Sequence, residues 1–251
     1  MCRHLAYLGP PVRIGDLLVR PKAGLFTQSW APRVQRHGTV NADGFGIGWY
    51  ADHEPEPGRY RRSGPIWADL TFADLARVIR TGALLAAVRD ATLPSADGEA
   101  AAAPFARGPW LFSHNGALTG WPGSVARLAS ALPADELLRL EARCDSALVW
   151  ALVVHRLRAG HTMREALAAT VTALHGAAPG SRLNLLLTDG TGLAATAWGD
   201  TLFYLLHPGA GVSVASEPYD ADPGWREVPD GSLLLATATE VAVAPIQEDA
   251  A

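Results

Sequence analysis

A cysteine directly follows Met1, and removal of Met1, expected when a small residue comes next, leaves Cys2 carrying a free α-amino group. Nucleophile and base then sit on one residue. An α-amine has an ordinary pKa of about 7.7–8.0 and a thiol about 8.5, so near neutral pH the amine can take the thiol proton without a histidine partner. A cysteine at position 2 is also what chance supplies.

Three other places carry groups that such a nucleophile needs. In Ser113-His114-Asn115-Gly116, a predicted strand runs into an Asn-Gly pair. One reading is a type I′ hairpin turn. The other is an oxyanion hole, with the Asn115 side-chain N–H and the Gly116 backbone N–H meeting a developing negative charge. In Val88-Arg89-Asp90-Ala91-Thr92, an arginine stands at the end of a predicted strand. It reads as a solvated or ion-paired residue, or as a planar fork for a carboxylate. Asp145, within a helical and apolar stretch, reads as a helix cap or as the holder of a substrate ammonium.

As a set, these residues resemble the glutaminase half of the class II glutamine amidotransferases, members of the N-terminal nucleophile hydrolase superfamily. Asn41-Ala42-Asp43-Gly44-Phe45-Gly46-Ile47-Gly48-Trp49-Tyr50 resembles the family's Gly-rich strand, so the likeness runs from Cys2 to at least Ser146. It implies attack of Cys2 on a γ-glutamyl amide, with Asn115 and Gly116 as the oxyanion hole. Arg89, helped by Thr92, would hold the α-carboxylate, and Asp145 the α-ammonium. At two positions where many members have His and Glu, this chain has Ala87 and Ala147.

Gln35-Arg36-His37-Gly38-Thr39-Val40-Asn41-Ala42-Asp43-Gly44, Ser113 to Gly116, and Ala215-Ser216-Glu217-Pro218-Tyr219-Asp220 with Asp222-Pro223-Gly224-Trp225 narrow the likeness. They resemble the ergothioneine-pathway amidohydrolases, which cleave γ-glutamyl-hercynylcysteine sulfoxide to glutamate and hercynylcysteine sulfoxide. The hercynyl group bears a trimethylammonium, a cation recognised on aromatic faces. Trp30, Trp49 and Trp121 lie near the motifs and are candidates for that pocket, each also readable as core packing. Two other readings stay open: a glutaminase subunit delivering ammonia to a synthase partner, and a non-catalytic γ-glutamyl-binding relative.

The rest of the chain must position these groups. Its 251 residues, 49% apolar and 18% charged, suit a folded domain rather than a disordered chain. A net charge of −4 leaves no basic excess for nucleic acid. No segment has the length of a membrane span or the layout of a signal peptide, so a cytoplasmic protein is expected. Cys2 and Cys144 make neither a disulfide framework nor a four-cysteine zinc site. The eight histidines show no metal-ligand spacing, and a thiol with an amine base needs none; no metal or cofactor is expected. The partner is expected to be a small γ-glutamyl molecule, with self-association left open.

Strands are expected at 45–51, 84–88 and 110–114, and in the runs RLNLLLTD, LAATAW, TLFYLL, GVSVAS, SLLLAT and VAVAPI. Helices are expected over 69–81 and 137–158, and again after Thr162, whose Glu165 three residues on completes a capping-box pattern. The proline-bracketed stretch 94–109 reads as a surface loop. This order of elements indicates α+β. The family resemblance makes it a single domain over residues 2–251, a four-layer αββα sandwich.

Overall fold

The computed structural model describes residues 2–91 and 97–246. Two sheets form its centre, and every strand pairing in them is antiparallel. The first runs β11 (Arg226–Glu227), β9 (Phe203–His207), β10 (Gly211–Ala215), β1 (Arg3–Arg13), β4 (Arg80–Val88), β2 (Phe45–Trp49), β3 (Gly58–Arg62). The second runs β13 (Val241–Pro245), β12 (Ser232–Ala236), β8 (Leu193–Ala197), β7 (Arg182–Thr188), β6 (Trp110–Ala117), β5 (Phe105–Arg107).

Alternation along the strands decides what lies between the layers. On β1, Leu5 and Tyr7 face α1 (Ile14–Leu18), α2 (Leu25–Gln28) and α3 (Leu70–Val78), packing with Ile14, Leu18, Leu25 and Phe72. Ala6 and Leu8 face the second sheet and pack with Leu111, Leu186 and Ala195. On the far side, Phe112, Leu185 and Leu187 meet α6 (Asp145–Arg158) and α7 (Met163–Ala177). Two further short helices, α4 (Ala126–Ser130) and α5 (Ala134–Leu138), precede α6. The result is a helix–sheet–sheet–helix sandwich with three apolar seams, the expected αββα architecture. Each fully buried Leu in them contributes about 1.5–3 kcal/mol.

The alternating glycines of β2 serve the seam between the sheets. A Cβ on Gly46 would stand 2.4 Å from the Ala103 carbonyl oxygen, and one on Gly48 2.6 Å from Leu111 Cδ1. The close neighbour of this strand is the second sheet itself.

Several expectations shift. β1 was not read as a strand, because GPP in its middle masks the pattern; its pairing with β4 changes register between Leu8 and Val12, where those residues fall. The helix expected over 69–81 stops at Val78, and β4 already starts at Arg80. The helix expected over 137–158 is broken between Leu138 and Asp145. Within 94–109, Gly98–Ala101 is a 3₁₀ turn and Phe105–Arg107 pairs with Trp110–Phe112, while 94–96 lie outside the described residues. Asn115-Gly116 is not a hairpin turn: both residues lie inside β6, opposite Asn184 and Leu183 of β7.

The capping box on α7 forms as the spacing required. The Thr162 hydroxyl accepts from Glu165 N–H at 3.3 Å, and the Glu165 carboxylate accepts from Thr162 N–H at 2.8 Å. Thr162→Ala is expected to cost about 1 kcal/mol, read as a lower midpoint in urea unfolding with an unchanged m-value.

Candidate functional site

Cys2 directly precedes β1, the middle strand of the first sheet. Arg3 opens β1 in register with Val88 of β4, and Phe45 of β2 faces Val88 from the other side. Leu5 pairs with Ala215 at the end of β10. The nucleophile candidate therefore stands at one end of three central strands, beside the residues that leave β4 and β10. The first of these, Arg89, is tied down by its main chain: its N–H donates to the Gly44 carbonyl at 2.7 Å, and its carbonyl accepts from Asp43 N–H at 2.9 Å. Its Nη1 donates to the Asp43 carbonyl at 3.2 Å.

The electrostatics of the thiol show which groups surround it. Burial pushes the Cys2 thiol up; the positive chain terminus, a hydrogen bond from the Asp90 backbone N–H and the Arg89 guanidinium pull it back, and the Asp145 carboxylate raises it. Arg89 and Asp145 thus act on one sulfur with opposite signs. Cys144 feels the same two charges, but burial dominates and pushes its thiol to about 11.

Asp145 is the first residue of α6, and its carboxylate ties that helix to the end of β6. Oδ2 accepts from Leu118 N–H at 3.1 Å, and Oδ1 from Ser146 N–H at 2.7 Å. Its N-terminal place on the helix also favours negative charge. Beside it, His114 Nδ1 pairs with Ser146 Oγ at 3.0 Å and His114 Nε2 with the Arg182 carbonyl at 2.9 Å.

Asn115 and Gly116 alternate on β6. Asn115 is fully buried and turns toward the first sheet, where its Nδ2 donates to Ser216 Oγ at 3.3 Å. The same Ser216 oxygen accepts from His4 N–H at 3.0 Å, joining the strand that carries Cys2 to the strand that carries Asn115. A Cβ on residue 116 would lie 1.9 Å from the Arg182 carbonyl oxygen, so glycine is required there by the neighbouring strand.

Three residues outside the initial candidates complete the surroundings. His4 stands opposite Ala87 across the β1–β4 pair. Burial holds it neutral, with its pKa well below the usual range. Arg3 is fully buried, and its Nε donates to the Cys2 carbonyl at 3.1 Å. Glu217, also fully buried, accepts from the N–H groups of Arg33 and Val34 at 3.1 Å each and so seats the segment 31–44. That segment is fixed at its other end by Asn41, whose Nδ2 donates to the Gln28 carbonyl at 3.1 Å, and by Asp43, which accepts from Ala91 N–H at 2.8 Å. Ser216 and Glu217 were visible in sequence as part of a motif, but nothing there assigned them partners.

The tryptophans separate. Trp30 is 42% exposed at the root of segment 31–44 and stands edge-to-face with Phe26 and with Trp67, itself 40% exposed. Trp49 lies four residues along β2 from Phe45, about 13 Å up the strand, and packs toward α1–α3. Trp121 follows β6 and packs against the seam under α6 and α7. Thr92 lies outside the described residues.

This arrangement can be set beside known proteins. The glutamine amidotransferases class-II family matches residues 24–209. The γ-glutamyl-hercynylcysteine sulfoxide hydrolase of Mycolicibacterium smegmatis is 43% identical, over 98% of this chain and 100% of its own. The protein of the same name from Mycobacterium tuberculosis is 41% identical, over 94% and 93%. A solved glutamine aminotransferase class-II domain protein from Silicibacter pomeroyi superposes with a TM-score of 0.71 at 25% identity, covering 98% of this chain and 100% of that one. With two antiparallel sheets between helical layers and a family match over most of its length, the chain belongs to the class II glutamine amidotransferases.

Proposed function

We infer that this protein is an amidohydrolase that cleaves γ-glutamyl-hercynylcysteine sulfoxide to glutamate and hercynylcysteine sulfoxide, a step of ergothioneine biosynthesis. The observation that carries the chemistry is the pair of opposite charges, Arg89 and Asp145, acting on one sulfur. A γ-glutamyl group carries an α-carboxylate and an α-ammonium at fixed distance from its scissile carbon, so two fixed partners of opposite sign orient that carbon for attack. The identity of 41–43% to the mycobacterial hydrolases over nearly the whole chain supports the substrate.

In this reading residues 2–251 act as one catalytic unit in the cytoplasm, where a free thiol stays reduced. Met1 is removed, and the Cys2 α-amine takes the thiol proton as the sulfur attacks the γ-carbonyl. Negative charge gathers on the carbonyl oxygen, met by Asn115 and the Gly116 N–H. The amine returns the proton to the leaving nitrogen as the C–N bond breaks, giving a thioester and the free amine of hercynylcysteine sulfoxide. Water, giving a proton to the amine, attacks the thioester; glutamate leaves and the thiol regains its proton. Arg89, helped by Thr92, and Asp145 hold the glutamyl group throughout. Trp30 offers its exposed face to the trimethylammonium, whereas Trp49 and Trp121 are committed to packing.

Glutamate release measured in parallel with the γ-glutamyl sulfoxide and with glutamine is expected to favour the former strongly, and Cys2→Ala to abolish it while leaving the fold intact. Preference for glutamine would replace this reading with an ammonia-delivering subunit; release from neither would make the protein a binding relative.

Trp30→Ala is expected to raise KM for the hercynyl substrate by about 2- to 30-fold, the value of a cation–π contact, and to leave glutamine hydrolysis unchanged. Steady-state kinetics with both substrates reads this directly.

Alkylation tests the assignment of the nucleophile. Burial raises both thiols, that of Cys144 to about 11. Iodoacetamide is expected to abolish activity in step with modification of Cys2 and not of Cys144, at a rate that rises with pH as the thiolate forms, as mass spectrometry of the peptides would show.

A further inference from the structure

Asn115 poses an accounting problem at the centre of the site. Its side chain is fully buried, its Nδ2 donates to Ser216 Oγ at 3.3 Å, and its Oδ1 has no hydrogen-bond partner among the described residues. Ser216 is equally buried; its hydroxyl oxygen accepts twice, from His4 N–H at 3.0 Å and from Asn115, and its own proton meets no acceptor among the described residues. A buried amide oxygen without a donor is costly, because it has given up its water and received nothing in return. Here an orphaned acceptor and an orphaned donor belong to residues already in contact.

Half a turn of the amide about its Cβ–Cγ bond exchanges oxygen and nitrogen at nearly the same two positions. The Ser216 hydroxyl then donates to Oδ1 while still accepting from His4, and both groups are satisfied. Nδ2 moves to the place where Oδ1 had no donor.

We propose that Ser216 is the positioning residue for Asn115: its hydroxyl donates to Oδ1 and turns the Nδ2 hydrogens toward the carbonyl oxygen of the substrate. The proposal rests on the reading of Asn115 as an oxyanion donor. It assigns a task to the serine of the Ala215-Ser216-Glu217 run, whose backbone is itself held by Ser216 N–H donating to the His4 carbonyl at 3.0 Å and by the Thr201 hydroxyl donating to the Ser216 carbonyl at 2.9 Å. The serine touches neither substrate nor sulfur and acts through Asn115. It also links the amide to the second residue after Cys2, so donor and nucleophile are set from one oxygen.

The test is a double-mutant cycle on kcat and KM with Ser216→Ala, Asn115→Ala and both together. Asn115→Ala is expected to lower kcat by about 10²–10³ and Ser216→Ala by about tenfold or more, each with KM within about threefold. In the Asn115→Ala background, the second change should add no more than about twofold, since the group through which the serine acts is gone. A second readout is affinity for glutamate γ-semialdehyde, whose hemithioacetal with Cys2 places an oxygen in the oxyanion position. It should weaken in both single variants, while affinity for glutamate stays within about threefold. Ser216→Thr, which keeps the hydroxyl, should restore kcat wherever it folds. Full activity of Asn115→Ala would overturn the oxyanion reading beneath the proposal. An impaired Asn115→Ala beside a fully active Ser216→Ala, or losses that multiply in the double variant, would overturn the role of Ser216 alone.

Discussion

In the proposed mechanism the reactive group stands at the end of the chain and has to be held still, and chain ends are where order is usually poorest. The architecture meets this constraint by running the first strand up the middle of a sheet. With β10 on one side and β4 on the other, β1 has hydrogen-bonding neighbours along both edges, and its two faces are covered by helices and by the second sheet. The position of Cys2 follows from that pairing. So do those of Arg89, at the end of the strand beside it, and Ser216, at the end of the strand on its other side.

The second sheet supplies the other half of the site, and its contribution depends on distance between layers. Gly46 and Gly48 let β2 close onto Ala103 and Leu111, and Gly116 lets β6 close onto β7. These approaches bring Asn115 to Ser216 across the seam and place the start of α6, with Asp145, beside the end of β6. Charge is distributed accordingly, with the cation from the first sheet and the anion from the helix layer behind the second. Neither layer alone presents both signs to the sulfur.

Much of this was legible in residue types. Strands with clean alternation or an unbroken apolar run, such as β7, β8 and β12, showed themselves, and the Thr162–Glu165 cap marked the start of α7 within a residue. What was not legible depended on partners far along the chain. Asn115-Gly116 carries the same local signature as a hairpin turn, and only pairing with Asn184 and Leu183 separates the two. The helical period through 137–158 conceals a break at Arg139–Cys144, because apolar spacing says nothing of where a backbone leaves the helix. Trp49 sits close to the motifs in sequence yet points into the layer under α1–α3, since strand alternation and not proximity decides its face. Arg3, a buried cation acted on by the Glu217 and Asp200 carboxylates, and Glu217, which seats the N–H groups of Arg33 and Val34, could be recognised only once the sheet was assembled.

The ladder of β1 begins at Arg3, one residue after the nucleophile. Among the described residues, the strand pairings that build the central sheet start at Arg3 and leave Cys2 outside the ladder. In the mechanism proposed for Cys2, folding and chemical maturation are therefore separable events: the scaffold can be complete before the amine exists, and exposure of that amine would convert a finished structure into a working one without rebuilding any of it. A population of molecules can in this way be uniformly folded and yet divided into active and inactive halves by a single peptide bond.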